Sequence, residues 1–283
     1  MKFLITSFLT ICLLTLCHIR KSPAKKSNHS RVVDGHSGLI QDFPYMVGIM
    51  LHPSHKTVWC CGSIIAKHWV LTAGHCIVVN NSETGKLQPL TYYVLKTVTA
   101  RGNTTFISGK AQDFVDHLVI KFLYHDRLTI VEGEVIENDI GLLRVKQSFD
   151  SLYEKVINLE EQSHGLVQEG VQAGWGWIFP NIPVGADELR YHHVYILSRE
   201  KCILAAMGLR FDVRNKLCVS SFESTACKGD SGSPLVVKNL QVGIMSAIFE
   251  GCPPGRLNVY VEVAPYVDWI KGSMRERSHR SKE

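Results

Sequence analysis

Cys227-Lys-Gly-Asp-Ser-Gly-Ser-Pro234 sets one hydroxyl, that of Ser231, between an aspartate and two glycines. Glycine tolerates backbone angles that a Cβ forbids. Gly229 and Gly232 therefore allow a turn tight enough for the N–H groups of Gly229 and Ser231 to converge on one point. A carbonyl held there meets a nucleophile on one side and two donors on the other. A serine hydroxyl is a weak nucleophile until a base takes its proton and a third group orients that base. Taken alone, Gly229-Asp-Ser-Gly232 could equally be an ordinary turn.

Candidates for the base and its orienting group occur upstream. Leu71-Thr-Ala-Gly-His-Cys76 puts His75 beside a cysteine able to anchor it, and Asn138-Asp-Ile-Gly-Leu-Leu-Arg-Val145 puts Asp139 at the mouth of an apolar run. With 13 histidines in the chain, a single His carries little information, and neither does a single strand-edge aspartate. The information lies in the order His, Asp, Ser, each within its own flanking pattern, because that order is one in which Ser-His-Asp chemistry recurs.

From these stretches the chain resembles the trypsin/chymotrypsin family of serine proteases, over about Arg31 to Met274. Trp69, Ala173-Gly-Trp-Gly176, Ser246, Val259-Tyr260 and Tyr266-Val-Asp-Trp-Ile270 extend the likeness. The resemblance implies an all-β fold of two six-stranded antiparallel barrels with a C-terminal helix and a cleft between the barrels. It implies His75 as general base, Asp139 as its orienting carboxylate and Ser231 as nucleophile. Gly229 and Ser231 form the oxyanion hole, and Ser246 supports Asp139. No metal or organic cofactor is implied. A calcium loop is not expected, because no convincing acidic pair is present.

The first residues read as a secretory signal at 1–17: Lys2, then an apolar run from Phe3 to Cys17, too short for a confident membrane span. Residues 18–31 are polar and basic without hydrophobic periodicity, as in a disordered pro-segment. Arg31-Val32-Val33-Asp34-Gly35 resembles the family's activation junction, although Asp34 stands where a glycine is usual. Cleavage after Arg31 would free the amine of Val32 to pair with Asp230. The expected product is a secreted, extracellular protein, with barrels over 32–150 and 151–274 and a charged tail over 275–283. The whole chain has a net charge of +5, but residues 1–31 hold six Lys/Arg and no Asp/Glu; without them 25 basic and 26 acidic residues remain. The basic balance thus gives no support for nucleic-acid binding.

Nine cysteines are present, of which Cys12 and Cys17 fall in the signal. The resemblance implies the pairs Cys60–Cys76, Cys202–Cys218 and Cys227–Cys252. Zinc binding is the rival use, but no repeated Cys-x-x-Cys spacing occurs. Cys61 is left over, as a buried thiol or an intermolecular link. A further family bridge is absent, since its two sites fall on Gly170 and Val237. Asn80-Asn-Ser82 and Asn103-Thr-Thr105 are glycosylation sequons, with a third at Asn28 in the pro-segment.

Short β-rich runs separated by Gly, Pro, Asn and Ser predict strands at 46–51, 62–65, 70–72, 92–98, 118–122, 140–145, 170–174, 190–196, 235–237, 241–247 and 258–263. A helix is expected from Ala264, with Val267, Ile270 and Met274 on one face.

By resemblance, Thr225 lies at the base of the primary specificity pocket, and Ile248 and Asn258 occupy its walls where glycines are usual. Thr225 cannot supply the charge that holds Arg or Lys, and the wall side chains fill the slot. A shallow pocket for small residues is expected. Ala247 replaces a tryptophan and Ser233 a glycine. The expected function is a secreted serine endopeptidase acting on polypeptides, activated by a separate trypsin-like protease, with a protein inhibitor as a possible partner. The alternative is a protease-like binding protein with little turnover.

Overall fold

The computed structural model describes residues 35–275 except 52–57, 81–85, 91–97, 110–113, 132–133, 164–167, 180–181, 208–212, 222–223, 249–251 and 254. The signal, the pro-segment, Arg31 and Val32 therefore lie outside the described residues, as does most of the strand expected at 92–98.

The first barrel is built from β1 (Met46–Met50), β2 (Cys60–Ala66), β3 (Trp69–Thr72), β4 (Thr99–Gly102), β5 (Val115–Tyr124) and β6 (Gly141–Val145). It closes antiparallel in the order β6-β3-β2-β1-β4-β5 and back to β6. The second uses β7 (Gln168–Gly174), β8 (Arg190–Ile196), β9 (Lys216–Ser220), β10 (Pro234–Val237), β11 (Leu240–Ala247) and β12 (Asn258–Glu262). Its order is β8-β7-β10-β11-β12-β9, closed by pairing of β9 with β8.

β1 shows how the barrels meet. All five of its residues are buried. Successive side chains of a strand point to opposite faces. Val47 and Ile49 enter the first-barrel core with Ile64, Leu71 and Leu143. Met46 and Met50 point the other way, into a cluster with Cys61, Trp175 and Leu189. The outer face of β1 is thus the seam between the barrels, and no polar alternation is possible there. The second core gathers Val194, Val219, Leu235, Met245 and Tyr260.

Helix α1 (Arg199–Ala206) is capped by Ser198, whose hydroxyl accepts from Lys201 N. A 3-10 turn (Ala264–Tyr266) leads into α2 (Val267–Arg275), and Val267 and Ile270 join the first-barrel core. The final helix therefore straps one barrel to the other. Disulfides join Cys60 to Cys76, Cys202 to Cys218 and Cys227 to Cys252. Gly170 faces Val237: a Cβ at Gly170 would lie 3.3 Å from Val237 Cγ2.

Two barrel strands were not expected. β4 carries buried Arg101, whose Nε and Nη2 each lie 2.7 Å from the Asp116 carboxylate. β9 opens on buried Lys216. A buried cation in a short strand interrupts the apolar signal.

Candidate active site

β3 ends at Thr72, and a 3-10 turn, Gly74–Cys76, carries His75. A Cβ at Gly74 would stand 3.1 Å from Ile140 N, so glycine lets this turn lie against the Asp139–Ile140 backbone. Asn138 has φ +53°, a left-handed angle that asparagine tolerates. Its side chain is fixed at both ends: Nδ2 donates to Arg127 O (2.8 Å), and Tyr266 Oη donates to Oδ1 (2.9 Å). Asp139 follows with no exposed side-chain surface. Its Oδ1 accepts His75 N–H at 2.7 Å; its Oδ2 lies 2.8 Å from His75 Nδ1 and accepts the Ser246 hydroxyl at 2.6 Å. A carboxylate on Nδ1 puts the ring proton there and leaves the Nε2 lone pair available.

The Ser231 turn is pressed onto the same barrel. Cys61 N donates to Ser231 O at 2.8 Å. Gly232 has φ +82°, and a Cβ there would stand 2.1 Å from Thr72 Oγ1 and 3.1 Å from Ala73 N, two residues before His75. Only glycine fits this contact. The Ser231 hydroxyl makes no hydrogen bond among the described residues. Catalytic hydrogen bonds commonly tighten only with substrate in place. The Lys228 carbonyl accepts Trp177 N–H at 2.8 Å, which turns the N–H of that peptide, on Gly229, the opposite way. Neither Gly229 N–H nor Ser231 N–H has an acceptor among the described residues.

The Trypsin family model matches residues 32–270. The chain belongs to the trypsin family of serine proteases. It is 29% identical over 248 residues to Serine protease SP24D of Anopheles gambiae, covering 87% of this chain and 82% of that protein. It is also 29% identical to Trypsin alpha of Drosophila melanogaster over 246 residues, 85% and 86% of the two chains. The solved structure of neuropsin, a serine protease expressed in mouse brain, superposes with a TM-score of 0.71 at 24% identity, covering 85% of this chain and 99% of that one; this is a likeness of fold.

In this trypsin-family chain His75 is 24% exposed. Burial lowers its pKa, but the charge and hydrogen bond of Asp139 outweigh burial and raise it above the usual 6.5; Lys216 opposes the rise. For Asp139, burial pushes upward and is outweighed by His75, Lys216 and the Ser246 hydroxyl, so the carboxyl sits below its ordinary value.

Asp230 turns away from the hydroxyl into a cradle. It accepts Gly176 N–H and Cys227 N–H, each at 2.9 Å. A Cβ at Gly174 or Gly176 would lie 2.1 or 2.3 Å from its oxygens, so the two glycines around Trp175 exist to admit this carboxylate. Burial raises its pKa to about 6 despite the two N–H bonds. No cation faces it among the described residues. Cys61 is fully buried, and burial pushes its thiol well up. As a neutral thiol it donates to Gly229 O at 3.3 Å.

Thr225 and Asn258 are both buried, and Asn258 Nδ2 donates to Thr225 Oγ1 at 3.1 Å. Ile248 is half-buried against the cluster that contains Ala226 and Val219. Ala247 is half-buried beside Cys218 and Val259. Ser233 is fully buried and accepts from Gln172 Nε2 at 3.0 Å. Asn103 accepts Tyr153 N–H at 2.8 Å; the Asn80 side chain lies outside the described residues. The atoms of Cys60, His75 and Cys76 come within 4.8 Å of one another, but both sulfurs are held in one disulfide and are not thiolate ligands. No described helix is long and apolar enough to cross a membrane.

Four contributors went unread in the sequence. Cys61 N, Trp177 N and the Gly174/Gly176 pair act through backbone groups, which leave no side-chain signature beyond paired glycines. Lys216 acts as a buried charge at the start of a strand, where nothing in its neighbours marks it.

Proposed function

We propose that the protein is a secreted serine endopeptidase made as an inactive precursor. His75 Nε2 takes the Ser231 proton as Oγ attacks the peptide carbonyl carbon. The open N–H groups of Gly229 and Ser231 receive the oxyanion. His75 then returns the proton to the leaving amine, and water releases the acyl group by the same route in reverse. Asp139 fixes the imidazole tautomer and stabilises the imidazolium. The observation that carries this reading is the enclosed Asp139, whose two oxygens take both the backbone N–H and the Nδ1 of His75. Cleavage after Arg31, by a separate trypsin-like protease, frees Val32 to pair with Asp230; burial of that carboxylate with two N–H bonds and no described cation supports this step.

The Asn258–Thr225 hydrogen bond favours small residues such as Ala, Val or Ser at the cleaved position. It also favours a second reading, a binding protein with little turnover. Cleavage of a peptide library by the Val32-terminated form distinguishes them. Enrichment of small aliphatic residues, with Arg and Lys excluded, supports the peptidase. A flat profile from folded protein supports the binder, and cleavage after Arg or Lys overturns the pocket reading.

A further inference from the structure

Strand β2 serves both barrels. Its side chains alternate, so Cys60 and Ile64 enter the first-barrel core while Cys61 and Ser63 turn toward the second barrel. Both outward residues are wholly buried. Each holds a different part of the second barrel. Ser63 Oγ donates to Gln241 Oε1 at 2.6 Å. The Gln241 amide is already oriented, because its Nε2 donates to Gly243 O at 3.3 Å. Cys61 Sγ donates to Gly229 O at 3.3 Å, and Cys61 N to Ser231 O at 2.8 Å. Burial, and then the charge of Asp230, pushes the Cys61 thiol up, so it stays protonated and remains a donor. The same residue is tied toward the imidazole: Cys61 O accepts the Thr72 hydroxyl at 2.8 Å, three residues before His75.

The peptide between Gly229 and Asp230 separates the Gly229 N–H from the Ser231 N–H. It is held at both ends, its carbonyl by the thiol and its N–H by Cys227 O at 2.9 Å. Gln241 lies near the start of β11. Further along that strand, Met245 O accepts Gly232 N–H at 2.8 Å, and Met245 N donates to Ser233 O at 2.9 Å. Ser246, the next residue, bonds Asp139. β11 is therefore fastened to the first barrel twice, at Ser63 and at Asp139, with the Ser231 turn hung between. We propose that Cys61 and Ser63 are positioning residues: from one face of one strand they set the Ser231 turn and its two open N–H groups against His75. Neither touches the reacting atoms. This rests on the peptidase reading and adds to it two groups outside the triad. A misdirected N–H costs little while substrate binds and much once the oxyanion forms, because such donors act on charge that develops in the transition state.

The test compares Cys61→Ala, Cys61→Ser and Ser63→Ala with the parent, each cut to begin at Val32 and each at a temperature where circular dichroism shows it folded. Cys61→Ala and Ser63→Ala are expected to lower kcat on a peptide amide about tenfold and to leave KM in place, the scale of one lost hydrogen bond. A peptide aldehyde, which Ser231 captures as a tetrahedral adduct, is expected to bind more weakly by the same factor. Cys61→Ser keeps a donor and is expected to lose less than Cys61→Ala. A role in folding alone lowers the melting temperature and spares the kcat of folded protein. That result overturns the proposal, as does a loss confined to KM or an equal loss in Cys61→Ala and Cys61→Ser. A second readout needs no turnover. In Ser231→Ala protein, amide hydrogen exchange over residues 227–234 is expected to quicken about tenfold when Cys61→Ala or Ser63→Ala is added. Unchanged exchange overturns the proposal. A folded parent without turnover contradicts the peptidase reading instead, and the exchange then decides the clamp alone.

Discussion

Asp139, itself closed to solvent, takes three hydrogen bonds on two oxygens. An amide in its place can accept on one atom only and must turn its NH2 either toward His75 Nδ1 and the Ser246 hydroxyl or toward the backbone N–H of His75. In the first case the imidazole is forced into the tautomer with the proton on Nε2, where it cannot act as a base. Asp139→Asn is therefore expected to keep the fold and lose about 10⁴ in kcat, the scale of such a tautomer error. The pH dependence moves with it. In the parent protein His75 titrates above its ordinary 6.5, and kcat/KM falls as the pH drops through that raised value, since only the neutral ring accepts a proton. Without the carboxylate the residual activity falls at a lower pH. Rates measured across pH for both proteins check the two statements; an unchanged acid limb would show that Asp139 does not set the imidazole.

The strands and turns explain which parts of the site could be read in advance. His75, Asp139 and Ser231 each sit in a short stretch whose neighbours are dictated by the turn that presents them, and those stretches are visible in the chain. β4 and β9 are not, because Arg101 and Lys216 are buried by partners that come from elsewhere in the fold. The pocket belongs to this scale too. As proposed, it lies where β12 begins at Asn258 and where β11 runs out past Ala247 to Ile248, and what joins the groups there is a side-chain hydrogen bond between Asn258 and Thr225. Replacing both wall residues, Ile248→Gly and Asn258→Gly, is expected to open it. Thr225 keeps an alternative acceptor in Ala226 O at 3.3 Å, so the cost of the lost hydrogen bond is about 1 kcal/mol. Cleavage after Leu or Phe should rise, chiefly through a lower KM. Peptide kinetics on folded variant decide this; a KM for large residues that does not move would mean that other groups close the slot.

At the scale of the whole molecule, the two barrels bring together groups that no local pattern connects. The cradle of Gly174 and Gly176 around Asp230 joins residues far apart in the chain. Its meaning depends on docking, which is why the barrels and the pairing of His75 with Asp139 were legible while this was not. Asp230 gives a prediction about the precursor. With its pKa raised to about 6 from 3.8, the folded precursor holds its proton more tightly than the unfolded chain does. The resulting stability is present below the unfolded value and is lost as the pH rises through about 6, a change on the order of 3 kcal/mol. A free Val32 amine pairing with the carboxylate removes that loss. Chemical denaturation of Ser231→Ala protein, uncut and cut after Arg31, should give curves that diverge above about pH 6, with the cut form more stable; parallel curves would dissociate Asp230 from activation. The most direct measurement of the central claim is fluorophosphonate labelling of the Val32-terminated protein, read by peptide mass. The account predicts one adduct, on Ser231, that disappears in His75→Ala. A folded, correctly cut protein that takes no label at Ser231 would contradict it.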